Sequence, residues 1–235
     1  MHGVDGHDMN QHQTLSQIKF DVIIFNFPYA CRSFPSLART RHPAHQLQLL
    51  VLPPTRLPSS LDSERSLLTK HCQSEENLEI LKRKGGVVLH GINVHNMNKH
   101  PTLSQMKFDI IIFNFPHAGF FPDPLHETDI KLIKRHRKIV KGFFRSAKEM
   151  LNEEGELHVT HRDDHPYSQW NLKQLAENLG LVLKEKAKFL KEDYPGYHNK
   201  RGSGRKCNKT FPLKDSAYTF KFSLDKNFIN PNHIM

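Results

Sequence analysis

Cysteine is scarce: Cys31, Cys72 and Cys207 are the only three in 235 residues. An odd number so widely spaced supports neither a disulfide framework nor a paired-cysteine zinc site, and points to a reducing, intracellular compartment. No apolar run approaches the roughly 20 residues that span a bilayer. The N-terminal MHGVDGHDMN also lacks the apolar core of a signal peptide, so a soluble protein with no membrane partner is expected. Acidic residues are outnumbered, 24 Asp+Glu against 34 Lys+Arg, giving a net charge of +10. That balance suits a polyanion such as RNA, and many basic proteins that bind no nucleic acid share it. Finally, no GxGxxG turn precedes Asp62, where a nucleotide-type site ordinarily has one.

What the chain does contain is one stretch written twice. Residues His2 to Cys31 repeat His90 to Gly119 at an offset of 88, with 20 of 30 positions identical. Both copies carry an apolar strand running into Asn-Phe-Pro: Phe25 to Pro28 in the first, Phe113 to Pro116 in the second. A strand that ends in polar and aromatic residues puts them at the C-terminal edge of a sheet, where α/β proteins hold ligands. The first copy stops before any helix can cover its strand, and Cys31 stands where Gly119 stands. It therefore reads as a partial duplicate, residues 1–31, rather than a domain. Residues 32–58 read as a Pro-rich linker, with Pro35, Pro43, Pro53, Pro54 and Pro58 breaking helices and ladders. Within it only Gln46 to Leu52 can make a short strand.

Beyond residue 59 the pattern turns regular. A helix is expected over Glu64–Lys84, a strand at Val87–His90, a polar loop from Gly91 to Gln105 and a central strand at Phe108–Phe113. A long basic helix follows over Thr128–Leu151, then a strand at Gly155–His161, a helix at Tyr167–Leu179 and a strand at Leu181–Phe189. After a loop from Tyr194 to Pro212 comes a last strand at Tyr218–Phe222. Strands alternating with helices imply a parallel sheet with crossovers. The last strand, reached without a helix, is expected to be antiparallel. Residues 59–225 then form one α/β domain with helices on both faces, its first strand missing or replaced, and 226–235 a tail. Phe20 to Asn26 has the hydrophobicity of a buried parallel strand and is expected to take the vacated slot.

Several residue types at these strand ends invite chemistry. Asp62 either accepts hydrogen bonds from ribose hydroxyls or caps the following helix. Asn93 either meets an adenine edge or closes a turn. At Asn114, Phe115, Pro116 and His117, a carboxamide, an aromatic face, a stiff proline and an imidazole suit transfer of a methyl group to a planar nitrogen. Such catalysis is mostly positioning, with His117 accepting the ring N–H proton; the plain alternative is a strand ended by a proline turn. His158 and His161, three apart on a strand, face opposite sides, so no metal site is expected there. Tyr194, Tyr197, Lys200, Arg201, Arg205 and Lys206 interleave aromatics with cations, which suits stacking on unpaired bases or simply a basic surface loop.

Taken in order, HGINVHNMNKHP and FDIIIFNFPHAGF (from His90), GELHVTHR (from Gly155), WNL (from Trp170), DYPGYHNKRGSG (from Asp193) and FPLKDSAYTFKF (from Phe211) resemble the eukaryotic 25S rRNA (uridine-N3)-methyltransferase-like family. The likeness covers about Leu61 to Leu224. It implies a Rossmann-like fold, S-adenosyl-L-methionine as cofactor, large-subunit rRNA as partner and a place in the nucleolus or nucleus, with the cytoplasm as alternative. It assigns Asp62 to the cofactor ribose, Asn93 to the adenine region and Asn114 to His117 to the catalytic strand end. Members of that family open with a strand and an acidic, glycine-rich turn; here that position holds the Pro-rich segment. The competing reading is a catalytically inactive RNA-binding pseudoenzyme of the same family.

Overall fold

Short runs of Val, Ile, Leu and Phe bounded by Pro, Gly and Asn favour strands, and here they assemble into one sheet. A computed structural model of the chain describes residues 22–26, 48–52, 74–83, 87–90, 92–118, 126–194, 197, 199 and 209–228. In chain order these give β1 (Val22–Asn26), β2 (Gln48–Leu52), α1 (Ser74–Arg83), β3 (Val87–His90), β4 (Phe108–Asn114) and α2 (Ile130–Met150). β5 (Leu151–Arg162), α3 (Leu172–Glu177), β6 (Leu181–Lys188) and β7 (Ala217–Leu224) complete the set. The seven strands lie in the order β3-β2-β1-β4-β5-β7-β6. Those from β3 to β5 are parallel, and β7 runs antiparallel to both of its neighbours.

Two of these strands come from N-terminal to residue 59. β1 takes the slot left for a first strand, between β2 and β4, and the short apolar run at Gln48–Leu52 becomes its other neighbour. Strand order reverses between β1 and β4, which makes the C-terminal ends of these two strands the topological switch point of the sheet.

α2 is amphipathic for a legible reason. Ile133, His136, Val140, Phe143, Phe144, Ala147 and Met150 recur every three or four residues and are buried, while Lys131, Lys134, Lys138, Lys141 and Arg145 lie on the exposed side. Asp129 starts the helix, its carboxylate accepting from the Lys131 amide at 2.7 Å. The buried stripe packs onto β4 and β7: Phe143 meets Phe113 with ring centroids 5.0 Å apart, and Phe144 meets Phe222 at 5.0 Å. Burying each such side chain contributes about 2–3 kcal/mol. α2 also contacts α3, so these two helices share a face of the sheet.

Two expectations need correction. The segment expected as a polar loop buries Ile92, Val94, Met97 and Leu103 and contains a 3-10 turn at Met97–Lys99. Its apolar residues follow no helical or strand period, so no pattern announced them. The helix expected over Tyr167–Leu179 is broken: a 3-10 turn at Tyr167–Trp170 ends at Asn171, whose φ of 51° is left-handed, and α3 starts after it.

Candidate functional site

The C-terminal end of β4 is built across three strands. Asn114 stands opposite Thr160 of β5, which stands opposite Thr219 of β7. Thr160 Oγ1 donates to Asn114 Oδ1 at 2.8 Å and lies 3.1 Å from Thr219 Oγ1. Because Thr160 is buried, this bond orients the carboxamide of Asn114 firmly. Its oxygen faces Thr160 and its amide nitrogen is the donor end.

At the next residue the backbone turns sharply. Phe115 has φ 45°, a conformation non-glycine residues rarely adopt. The surroundings over-determine it: its amide donates to Thr160 O at 2.8 Å, and its ring lies edge-on against Phe189 and Phe211 at 5.6 and 5.2 Å. Pro116 is buried and His117 half-buried. The Phe115 ring, an aromatic face suited to stacking on a base, is packed within this aromatic cluster.

His117 has two neighbours that sequence reasoning did not find. Glu127, from the turn before α2, places Oε1 3.6 Å from His117 Nε2, and His136 on the buried face of α2 brings its ring centroid within 4.4 Å of that of His117. The imidazoles of His117 and then of His136 beside it hold the Glu127 carboxyl well below the usual carboxylate range, against the opposing effect of burial. Burial lowers the pKa of His136, partly offset by the Glu127 carboxylate 3.8 Å away. The His136 ring stacks on Trp170 at 4.3 Å, and Trp170 in turn meets His161 at 4.2 Å. One signal for His136 was present: it interrupts an apolar stripe between Ile133 and Val140. Glu127, on a turn, had none.

Of the remaining expected residues, Asn93, Tyr194 and Tyr197 are described. Asn93 is exposed and its carboxamide accepts from the His95 amide at 3.0 Å, so it closes its own turn. Tyr194 is half-buried and stacked on Phe189 at 5.0 Å. Tyr197, expected to offer its ring to a base, is 5% exposed and packs edge-on against Phe189 at 5.8 Å. Its phenol pKa is raised by burial. The residue types were read correctly as aromatic, but the rings turn inward onto the cluster around Phe115. Asp62, Lys200, Arg201, Arg205 and Lys206 lie outside the described residues. His158 pairs with Glu156 at 2.8 Å while His161 packs on Trp170, so the two histidines serve different neighbours.

The sequence and the fold have relatives among known proteins. The chain is 45% identical over 166 residues to heavy metal-associated isoprenylated plant protein 41 of Arabidopsis thaliana, covering 70% of this chain and 32% of that protein. It is 26% identical over 142 residues to the 25S rRNA (uridine(2634)-N(3))-methyltransferase of Saccharomyces cerevisiae, covering 47% of this chain and 41% of that one. The chain thus spans about a third to two fifths of the length of these two relatives. A solved structure of NSun6 from Pyrococcus horikoshii shares the fold at 18% identity and a TM-score of 0.50, over 92% of this chain and 51% of that one. The sequence profile of the rRNA (uridine-N3-)-methyltransferase BTM5-like proteins matches residues 33–201, most of the chain, and this protein therefore belongs to the BMT5-like family.

Proposed function

We propose that this chain methylates N3 of a uridine in large-subunit rRNA, in the nucleolus or nucleus, with S-adenosyl-L-methionine as methyl source. The observation that carries the reading is the strand end at the switch point. There a carboxamide held by Thr160, a left-handed Phe115 and an imidazole at His117 lie within four consecutive positions. In this reading Asn114 donates to a carbonyl of the base, and His117 accepts the N3–H proton. The exposed side of α2 supplies a phosphate-binding stripe in Lys131, Lys134, Lys138, Lys141 and Arg145, with no acidic residue among them. Lys200, Arg201, Arg205 and Lys206 add to the same electrostatic attraction.

The residues present do not reproduce the glycine turn by which such folds usually let backbone amides approach a cofactor. β1 ends at Asn26 and runs on through Phe27, Pro28 and Tyr29, and no glycine stands between Gly6 and Gly85. Asn93, expected at the adenine, is used in its own turn. This specific mismatch favours a second reading, an RNA-binding pseudoenzyme that keeps the family's fold without its chemistry.

Calorimetry separates the two. Saturable binding of S-adenosyl-L-methionine, together with 3-methyluridine formed in an rRNA transcript, supports the enzyme. Salt-dependent RNA binding with no cofactor heat supports the pseudoenzyme. Absence of RNA binding at low salt removes both.

A further inference from the structure

Beside His117, two polar atoms shut away from solvent face each other. Glu127 Oε2 and His136 Nε2 have no hydrogen-bond partner among the described residues and lie 3.8 Å apart. The other carboxylate oxygen, Oε1, is 3.6 Å from His117 Nε2. Ligand atoms of His117, Glu127 and His136 all fall within 4.8 Å of one another, and two imidazoles with a carboxylate form a set that zinc accepts.

The tautomer of His136 argues against a cation. Its Nδ1 accepts a hydrogen bond from the Ala118 amide at 3.0 Å, so the lone pair is on Nδ1 and the ring hydrogen on Nε2. A metal bound at Nε2 would force that hydrogen onto Nδ1, directly against the Ala118 N–H. His136 is 1% exposed and stacked on Trp170, so its ring has no room to flip and present the other nitrogen. Among the described residues its Nε2–H therefore faces one acceptor, the Glu127 carboxylate, 3.8 Å away. Oε1 of the same carboxylate faces His117 Nε2 at 3.6 Å and would be the acceptor for a hydrogen placed there. An imidazole with its hydrogen committed on Nε2 has Nδ1 as its basic nitrogen.

We propose that Glu127 and His136 are positioning residues for His117, fixing its imidazole with hydrogen on Nε2 so that Nδ1 is the acceptor for the N–H of a uracil-type imide. The assignment deepens the proposed function and rests on the reading that this strand end receives a uridine base. In the step it serves, the imide N3–H bond breaks and its electron pair stays on N3. The hydrogen bonds to Nδ1, and the imidazolium so formed is balanced by the carboxylate beside Nε2. His136 touches no substrate in this scheme. It anchors the carboxylate, and the Ala118 amide in turn anchors His136.

Nitrogen-15 spectra of the histidine rings of the full chain, recorded at about pH 8, above the ordinary imidazole range, read the network directly. Expected are hydrogen on Nε2 for both His117 and His136 in the unmodified protein, a result that needs no variant to fold. In Glu127→Gln, His117 is expected to mix tautomers, while His136, held by Ala118, keeps its own. Hydrogen on Nδ1 of His136, or a His117 tautomer unchanged in Glu127→Gln, would overturn the proposal. So would one-to-one zinc binding by calorimetry that His136→Asn abolishes. These spectra do not depend on methyl transfer. The expected tautomers without any uridine methylation would uphold the network and count against the enzyme instead.

Discussion

Asn26 and Asn114 stand directly opposite each other in neighbouring parallel strands, each the last residue of its strand and each the same position of a repeated sequence. All of β1 pairs this way: Val22 with Ile110, Ile23 with Ile111, Ile24 with Ile112 and Phe25 with Phe113, always at the repeat's own offset of 88. A duplicated strand has thus been laid beside its original and fills the slot of a first strand. Both strands consequently end on an asparagine at the switch point of the sheet.

Removing the hydroxyl that holds Asn114 tests the strand end. Thr160→Val keeps the shape but leaves the buried side of the carboxamide without its donor, a loss of about 1–2 kcal/mol of stability. Urea denaturation measures that loss. Uridine methylation by the still-folded protein is expected to fall at least tenfold, and unchanged methylation would show that Asn114 needs no such support.

The cation stripe on α2 predicts a change of slope. Replacing Lys134, Lys138 and Lys141 together by Gln is expected to weaken RNA binding and to lower the log–log salt slope by roughly 0.7–0.9 for each phosphate that is no longer neutralised. A slope equal to that of the unmodified protein would place the RNA interface elsewhere.

Acid should destabilise the fold through the ring column. Burial pushes His161 down to about 4, and it lowers His136 as well. Each ring binds its proton more readily unfolded than folded, so stability falls as pH drops from about 6.5 towards 4. For His161 the effect is on the order of 3 kcal/mol. Glu127, held ionised in the fold, adds a further loss at lower pH, once the unfolded carboxyl takes up its proton. Urea midpoints across this range should fall, and should fall less in His161→Gln.

Gly180 joins α3 to β6 with φ +77°, and a Cβ there would lie 2.5 Å from the Phe228 ring. Gly180→Ala is expected to cost at least about 1 kcal/mol, since both the backbone and the ring must shift. A thermal melt is the check.

The second half of the fold was legible because each element there has one clear period: alternation in β7, a three-to-four spacing in α2, and a glycine or proline at most boundaries. The place of β1 was legible from hydrophobicity and repetition together. Its neighbour β2 was harder, because Gln48–Leu52 is flanked by prolines and only the sheet supplies its partners. In the site, Asn114 to His117 could be read as a motif. Glu127 and Thr160 could not, since each gains its role from a neighbour across the sheet or helix that spacing along the chain does not encode, and His136 showed only as a break in an apolar stripe. Tyr197 was misread because a Gly- and Lys-rich segment gives no sign of which rings turn inward.

The account stands most directly on β1 being an interior strand of the sheet. Hydrogen exchange compared between peptides covering Val22–Asn26 and Phe108–Asn114 measures this. Protection of the first close to that of the second, both approaching the stability of the whole domain, is the predicted result. Exchange of the Val22–Asn26 amides at the rate of an unstructured chain, with β4 still protected, would contradict it.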